Sequence, residues 1–128
     1  MHRSRLAAFV IDCKSEDIEA ATAFWSKALG RPVLPHTPEE DNYRELSAKA
    51  EEPMLLVQKV DHPGRIHLDI ESDDIEAEVK RLEALGAKRV EFIKRWWVME
   101  APTGQRFCVV RPQRGPLESR GNEWSGEG

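Results

Sequence analysis

The chain has 128 residues, of which 40% are apolar and 33% charged, with a formal net charge of −4. That size and apolar content suit one domain with a real core, and the charge describes a solvated surface rather than a disordered chain. With both signs interspersed there is no basic stripe for nucleic acid, and no apolar run approaches the ~20 residues of a membrane span.

The N-terminus runs directly into apolar residues 6–13, too short for a signal segment with its cleavage site, so a cytoplasmic location is expected. Cys13 and Cys108 both lie in apolar, strand-like runs. They read as small buried hydrophobes in a reducing compartment, and no C-x-x-C pair suggests a zinc ribbon.

In chain order, residues 9–13 read as a strand, with Ser15 as a helix N-cap followed by acidic residues that suit the helix dipole. Ile18, Ala21, Trp25, Ala28 and Leu29 form an apolar helical stripe with Thr22 at its edge. Gly30 suits a left-handed cap, and Pro32 blocks continuation. Strands are expected around 33–34, 43–47 and 54–60, divided by Pro35-His36-Thr37-Pro38 and Glu51-Glu52-Pro53. After the loop Asp61-His62-Pro63-Gly64 comes a strand at 66–70, then Ser72 as a second N-cap. The stripe Ile75, Val79, Leu82 and Leu85 follows, with a stop at Gly86. Strands at 89–93, 96–100 and 106–111 complete the series, with Pro102-Thr103-Gly104 turning between the last two. The basic pair Lys94-Arg95 beside Trp96-Trp97 is too small to bind nucleic acid. From Pro112 the periodicity disappears and residues 113–128 read as a disordered polar tail, in which Trp124 is either solvated or docked in a groove.

The series is a repeat. Ser15-Glu16-Asp17-Ile18-Glu19-Ala20 recurs as Ser72-Asp73-Asp74-Ile75-Glu76-Ala77, an offset of 57 (15 to 72) that also relates Ile11-Asp12 to Leu68-Asp69. Ala28-Leu29-Gly30 recurs as Ala84-Leu85-Gly86. The fold class is therefore α+β: two tandem βαβββ modules, about 5–60 and 65–111, with helices outside the sheet. Alternation along the strand at 65–71 places Ile66, Leu68 and Ile70 on a side expected to pack under a helix, and Arg65, His67, Asp69 and Glu71 on the other. Val10 and Asp12 take the matching polar-side positions in the first module.

These residues resemble a known family. The motifs are Ala23-Phe24-Trp25-Ser26-Lys27-Ala28-Leu29-Gly30, His67-Leu68-Asp69-Ile70-Glu71-Ser72-Asp73-Asp74, Leu85-Gly86-Ala87 and Pro102-Thr103-Gly104-Gln105. In this order they are similar to the glyoxalase / bleomycin-resistance / extradiol-dioxygenase (vicinal-oxygen-chelate) superfamily, over nearly all of a single domain at 1–112. The resemblance implies an open, cup-shaped mixed sheet with a ligand inside the cup, and a homodimer. It also implies a divalent metal held by His, Glu or Gln from both modules in the family's metal enzymes. His67 falls on one such position. Its counterpart is Val10, or Ala8; Cys108 stands where a carboxylate is expected, with Leu56 or Gln58 as the last position. No metal and no other cofactor is therefore expected.

The function expected is metal-independent binding of a small organic molecule, with catalysis left open. His67 is the candidate hydrogen-bond partner or base, Asp12 and Asp69 are polar walls, and Trp96 or Trp97 is a stacking surface. Cys108 joins the ligand-binding set, as an inert thiol or as the partner of His67 in a thiolate–imidazole pair. His2, His36 and His62 are expected at the surface. Alternatives are a metal-dependent lyase or dioxygenase of the same superfamily and an antibiotic-sequestering, resistance-type binder. The exposed member of the Trp96/Trp97 pair, or Trp124, is expected to help bury the dimer interface.

Overall fold

The computed structural model describes residues 1–38, 40, 42–118 and 120–125. It is α+β, with strands β1 (His2–Lys14), β2 (Tyr43–Leu46), β3 (Met54–Val60), β4 (Arg65–Ser72), β5 (Lys88–Ile93), β6 (Trp96–Glu100), β7 (Arg106–Val110) and β8 (Asn122–Trp124), and helices α1 (Ile18–Leu29) and α2 (Ile75–Ala84). The chain divides into two compact units, Ala8–His67 and Met1–Ala7 with Leu68–Gly128.

In the unit Ala8–His67, β1 pairs parallel with β3, and β3 antiparallel with β2. The strand expected at 33–34 is reduced to one bridge, Val33 to Leu46. Pro32 and Pro35 on either side lack the N–H groups that a longer ladder needs. Helix α1 packs on β2 and β3 over fully buried Leu46 and Val57. Thr22, expected at the edge of the stripe, is its centre: it is buried, and its hydroxyl donates to the Ile18 carbonyl at 2.6 Å.

The other unit repeats the plan in full. β4 pairs parallel with β7, β7 antiparallel with β6, and β6 antiparallel with β5. Val79 of α2 packs with Met99 and Val109, surrounded by Ile75, Leu82, Ala87, Trp97 and Phe107. Lys94-Arg95 form the tight turn between β5 and β6, where Ile93 pairs with Trp96.

Both helices start later than the serines suggest. The N-caps are Asp17 and Asp74, whose carboxylates accept from Ala20 N and Ala77 N respectively. Ser15 and Ser72 sit two residues earlier, each hydroxyl accepting from the cap residue's own N–H, at 3.0 and 3.1 Å. Both helices stop where expected: Gly30 (φ 67°) caps α1 and Gly86 (φ 109°) follows α2 in the left-handed region. The ends of the stripes are not buried, for Ala28, Leu29 and Leu85 are exposed. On the side of β4 expected to be covered, Ile66 is 65% exposed and Leu68 40%, whereas Ile70 is half-buried; α2 packs on β5, β6 and β7.

The tail also departs from expectation. Residues 119 and 126–128 lie outside the described residues, but β8 pairs antiparallel with the start of β1, Trp124 opposite His2. Leu117 is buried, and the Gln113 N–H donates to Glu71 at 2.7 Å. Trp124 donates its indole N–H to Ser4 Oγ at 2.9 Å, and the Arg81 guanidinium lies 3.8 Å from its ring centroid. Arg81 in turn grips the fully buried carboxylate of Glu78 through two bonds of 2.9 and 2.8 Å, and His2 Nε2 meets the same carboxylate at 2.8 Å. His2, expected at the surface, is thus a buried anchor for the chain's last strand.

Candidate functional site

Register partners in neighbouring strands place their side chains on the same side of a sheet. In the unit Ala8–His67, Asp12 is opposite Gln58, and Gln58 opposite Tyr43, so a carboxylate, an amide and a phenol form one row across β1, β3 and β2. The adjacent row is Val10, Leu56 and Glu45. Asp12 is 4% exposed, and its Oδ2 accepts from His67 Nδ1 at 2.8 Å. Arg65 Nε stands 3.6 Å from that same oxygen. The contact assigns roles: a carboxylate only accepts, so Nδ1 carries the proton and Nε2 is the ring's exchanging nitrogen. Burial, followed by the charges of Glu40 and Glu45, raises the Tyr43 pKa, which keeps the phenol a neutral donor.

The other unit has a corresponding row. Asp69 is opposite Cys108, Cys108 opposite Val98, and Val98 opposite Glu91. The tryptophan alternatives are now separated. Trp97 is opposite Val109 and packs with Met99 and Val79 beneath α2, against the Phe92 ring at 5.3 Å. Alternation then puts Trp96 on the side of the sheet shared by Asp69 and Cys108. Trp124 is engaged within its own chain.

The registers also decide which residue of the first module matches Cys108. Cys108 faces Asp69 as Gln58 faces Asp12, so Gln58 is the counterpart and Leu56 belongs to the row of Val10. These residues do not fit the metal centre that the family resemblance implies. The first module offers aliphatic Val10 and Leu56, and of its two carboxylates on this side Asp12 is already held by His67 and Arg65 while Glu45 stands beyond Leu56. A hard cation needs several oxygen donors whose charge offsets its dehydration. A softer donor set does follow β4 and its partner strand: His67, Asp69 two residues on, and Cys108 opposite Asp69. That set would suit zinc but is one donor short of tetrahedral closure. Cys13 is a different thiol, whose pKa is raised chiefly by burial, as in an inert core cysteine.

Sequence reasoning located His67 and Asp12 but not their bond, and it passed over His62 as a participant. The Nδ1 of His62 donates to the Pro63 carbonyl at 2.9 Å, and its Nε2 lies 3.5 Å from Arg65 Nη2. His36 is exposed, as expected.

Residues 8–110 match the family model of a glyoxalase-like domain. No curated protein matches by sequence. Among solved structures, a hypothetical protein from Bacillus halodurans C-125 superposes with a TM-score of 0.64 at 13% identity, over 88% of this chain and 97% of that one. Methylmalonyl-CoA epimerase from Mycobacterium tuberculosis gives 0.61 at 16% identity, over 89% and 90%. The Mn(II)-bound glyoxalase from Novosphingobium aromaticivorans gives 0.57 at 17% identity, and there 94% of this chain spans only 45% of the other. At these identities the likeness is one of fold alone.

Proposed function

The chain belongs to the glyoxalase-like domain family, within the vicinal-oxygen-chelate superfamily, and on that premise we propose that it binds a small organic molecule on the polar row of Asp12, Gln58 and Tyr43 and exchanges a proton with it through His67, without a metal. The observation that carries this reading is the 2.8 Å bond between the buried Asp12 carboxylate and His67 Nδ1. A buried carboxylate behind an imidazole fixes the ring's orientation and tautomer, and it stabilises the imidazolium formed when Nε2 takes a proton. Gln58 and Tyr43 supply neutral hydrogen bonds beside it. No step requires an ion. An epimerase among the structural neighbours makes proton exchange at carbon a reasonable class of reaction to test.

The experiment is a screen of small oxo-acids and CoA thioesters, methylmalonyl-CoA included. It is read by ligand-observed NMR in wild type and variants alike, by the His67 ring signals of the wild type, and by uptake of solvent deuterium into the compound. Binding with deuterium uptake, both lost in His67→Ala, is the expected result. Binding without uptake turns the protein into a sequestering binder, and His67 signals that respond to nothing overturn the site. Elemental analysis of protein prepared without chelator tests the metal arm: about one zinc per chain, lost in His67→Ala, would promote the metal-dependent lyase or dioxygenase reading.

We propose in addition a cytoplasmic homodimer, which the family resemblance supports. Among the described residues no helix is long and apolar enough to cross a membrane. A monomer mass by light scattering at micromolar concentration would count against the dimer.

A further inference from the structure

Arg65 begins β4 two residues before His67, so both side chains leave the same side of the strand. Its surroundings differ from those of an ordinary surface arginine. Nε stands 3.6 Å from Asp12 Oδ2, and Nη2 3.5 Å from His62 Nε2, whose ring is oriented by the Pro63 carbonyl. The guanidinium is thus steered along one edge. No carboxylate comes within hydrogen-bond distance of it among the described residues, and Nη1 meets no partner there.

The charges are layered. The Asp12 side chain is 2% exposed, that of His67 11%, and that of Arg65 46%. The negative charge is therefore the most deeply buried, shared between two bases, and the fixed positive charge is the most exposed of the three. The other acid on this side of the unit's sheet, Glu45, is in the next row, beyond Leu56. An approaching molecule meets a guanidinium first, with an imidazole behind it and a carboxylate already spoken for.

From this layering we infer that the ligand of the site is a small carboxylate, its acid group bound by the Arg65 fork and a second oxygen met by His67. The inference rests on the small-molecule reading of the Asp12–His67 site and adds the ligand's charge and reach. A planar guanidinium suits a carboxylate because two N–H groups can bind its two oxygens together. Residues i and i+2 of a strand are about 6.5 Å apart, so the second oxygen should lie a few bonds from the acid. An oxo- or hydroxy-acid with two or three carbons between these groups has that reach.

The probes are levulinate and 5-oxohexanoate, each against its methyl ester, titrated by calorimetry in every variant while the His67 ring signals are followed in the proteins that retain that ring. The acids are expected to bind at least tenfold tighter than the esters, about 1.4 kcal/mol, and less tightly as salt rises. Arg65→Gln should abolish the difference by weakening the acids alone, whereas His67→Ala should weaken acid and ester together. Should an ester bind as well as its acid, or should Arg65→Gln leave the preference intact, the carboxylate inference falls and the small-molecule reading stands. Absence of any response to both acids overturns the inference as well. Thermal unfolding of Arg65→Gln at the wild-type temperature confirms that the variant is folded, and Arg65→Lys should keep the charge preference while losing part of the affinity.

Discussion

The two modules place the three strands they share in the same order and fill equivalent rows with different chemistry. In the first, Asp12, Gln58 and Tyr43 form a continuous hydrogen-bonding surface; in the second, Asp69 is followed by a thiol and an aliphatic side chain, Cys108 and Val98. The interiors beneath the helices correspond more closely. Thr22 and Val79, 57 residues apart (22 to 79), are both buried at the centre of their helix. Core positions are constrained by close packing against neighbours, whereas a row on the opposite side of the sheet can change residue type without disturbing that packing. A duplicated unit can therefore retain its skeleton while one copy carries the chemistry.

The position just before each central residue gives the largest expected contrast. Glu78 is fully buried between Arg81 and His2, and its repeat mate is Ala21. Glu78→Ala leaves two bases without their shared acid and should cost roughly 3–5 kcal/mol, as for other broken buried pairs. Ala21→Gly should cost only about 1 kcal/mol, the helix-propensity difference. Urea unfolding measures both, and equal losses would break the comparison. The same carboxylate makes the second module acid-sensitive. Burial pushes its pKa up, but the hydrogen bonds from Arg81, His2 and Ser4 outweigh that and hold it below the usual carboxylate range. A depressed folded pKa contributes stability above the unfolded value and loses it as pH falls through the folded one. Protection of the Trp124 indole N–H from solvent exchange should accordingly hold at neutral pH and fade only on acidification below about 4.5, the ordinary value.

The rows supply the next contrast. Asp12→Asn keeps the side chain's size but removes the charge that stabilises an imidazolium, and it should slow any proton exchange at His67 by about 100-fold. Val98→Ala, in the second row, should leave that rate within about twofold, since its side chain offers no hydrogen bond to lose. Deuterium uptake reads both, once a responding compound is known. A smaller effect is expected of Trp124→Ala, which removes one hydrogen bond and one cation–π contact, together about 1–2 kcal/mol. It should free the last strand without changing the unit Ala8–His67, as hydrogen exchange resolved by segment would show.

Much of this organisation was legible in the sequence because it rests on local chemistry. The repeat, the glycine stops and the polar side of β4 follow from spacing, and strands 54–60 and 96–100 have the expected bounds. The helix starts were misread because serine and aspartate are both good caps two residues apart, and only the structure shows the serine supporting the aspartate. Registers are long-range, so neither the tryptophan facing the row nor the match of Gln58 to Cys108 could be read in advance. The bond between His67 and Asp12 crosses 55 residues, and the bond between His2 and Glu78 crosses 76. In the tail, Trp124 was the one available signal, because its anchors lie on β1 and α2.

The mildest test exchanges the central helix residues. Thr22 and Val79 are nearly isosteric, one methyl against one hydroxyl, and both are buried. A buried hydroxyl is costly when it lacks a partner, but Thr22 donates to the carbonyl four residues earlier, Ile18, within its own helix. That bond needs nothing from the rest of the molecule, and it bonds a carbonyl already engaged by the helix. Thr22→Val should therefore be neutral or stabilise by under about 1 kcal/mol, the net value of one such bond. Val79→Thr can make the same local bond to Ile75, but its hydroxyl enters a pocket formed by Met99 and Val109, which offer it nothing polar from their side chains. It should destabilise by about 1 kcal/mol or slightly more. If instead Thr22→Val costs well over 1 kcal/mol in urea unfolding, the hydroxyl has a partner beyond its own helix, and the two modules differ in their interiors as well as in their rows.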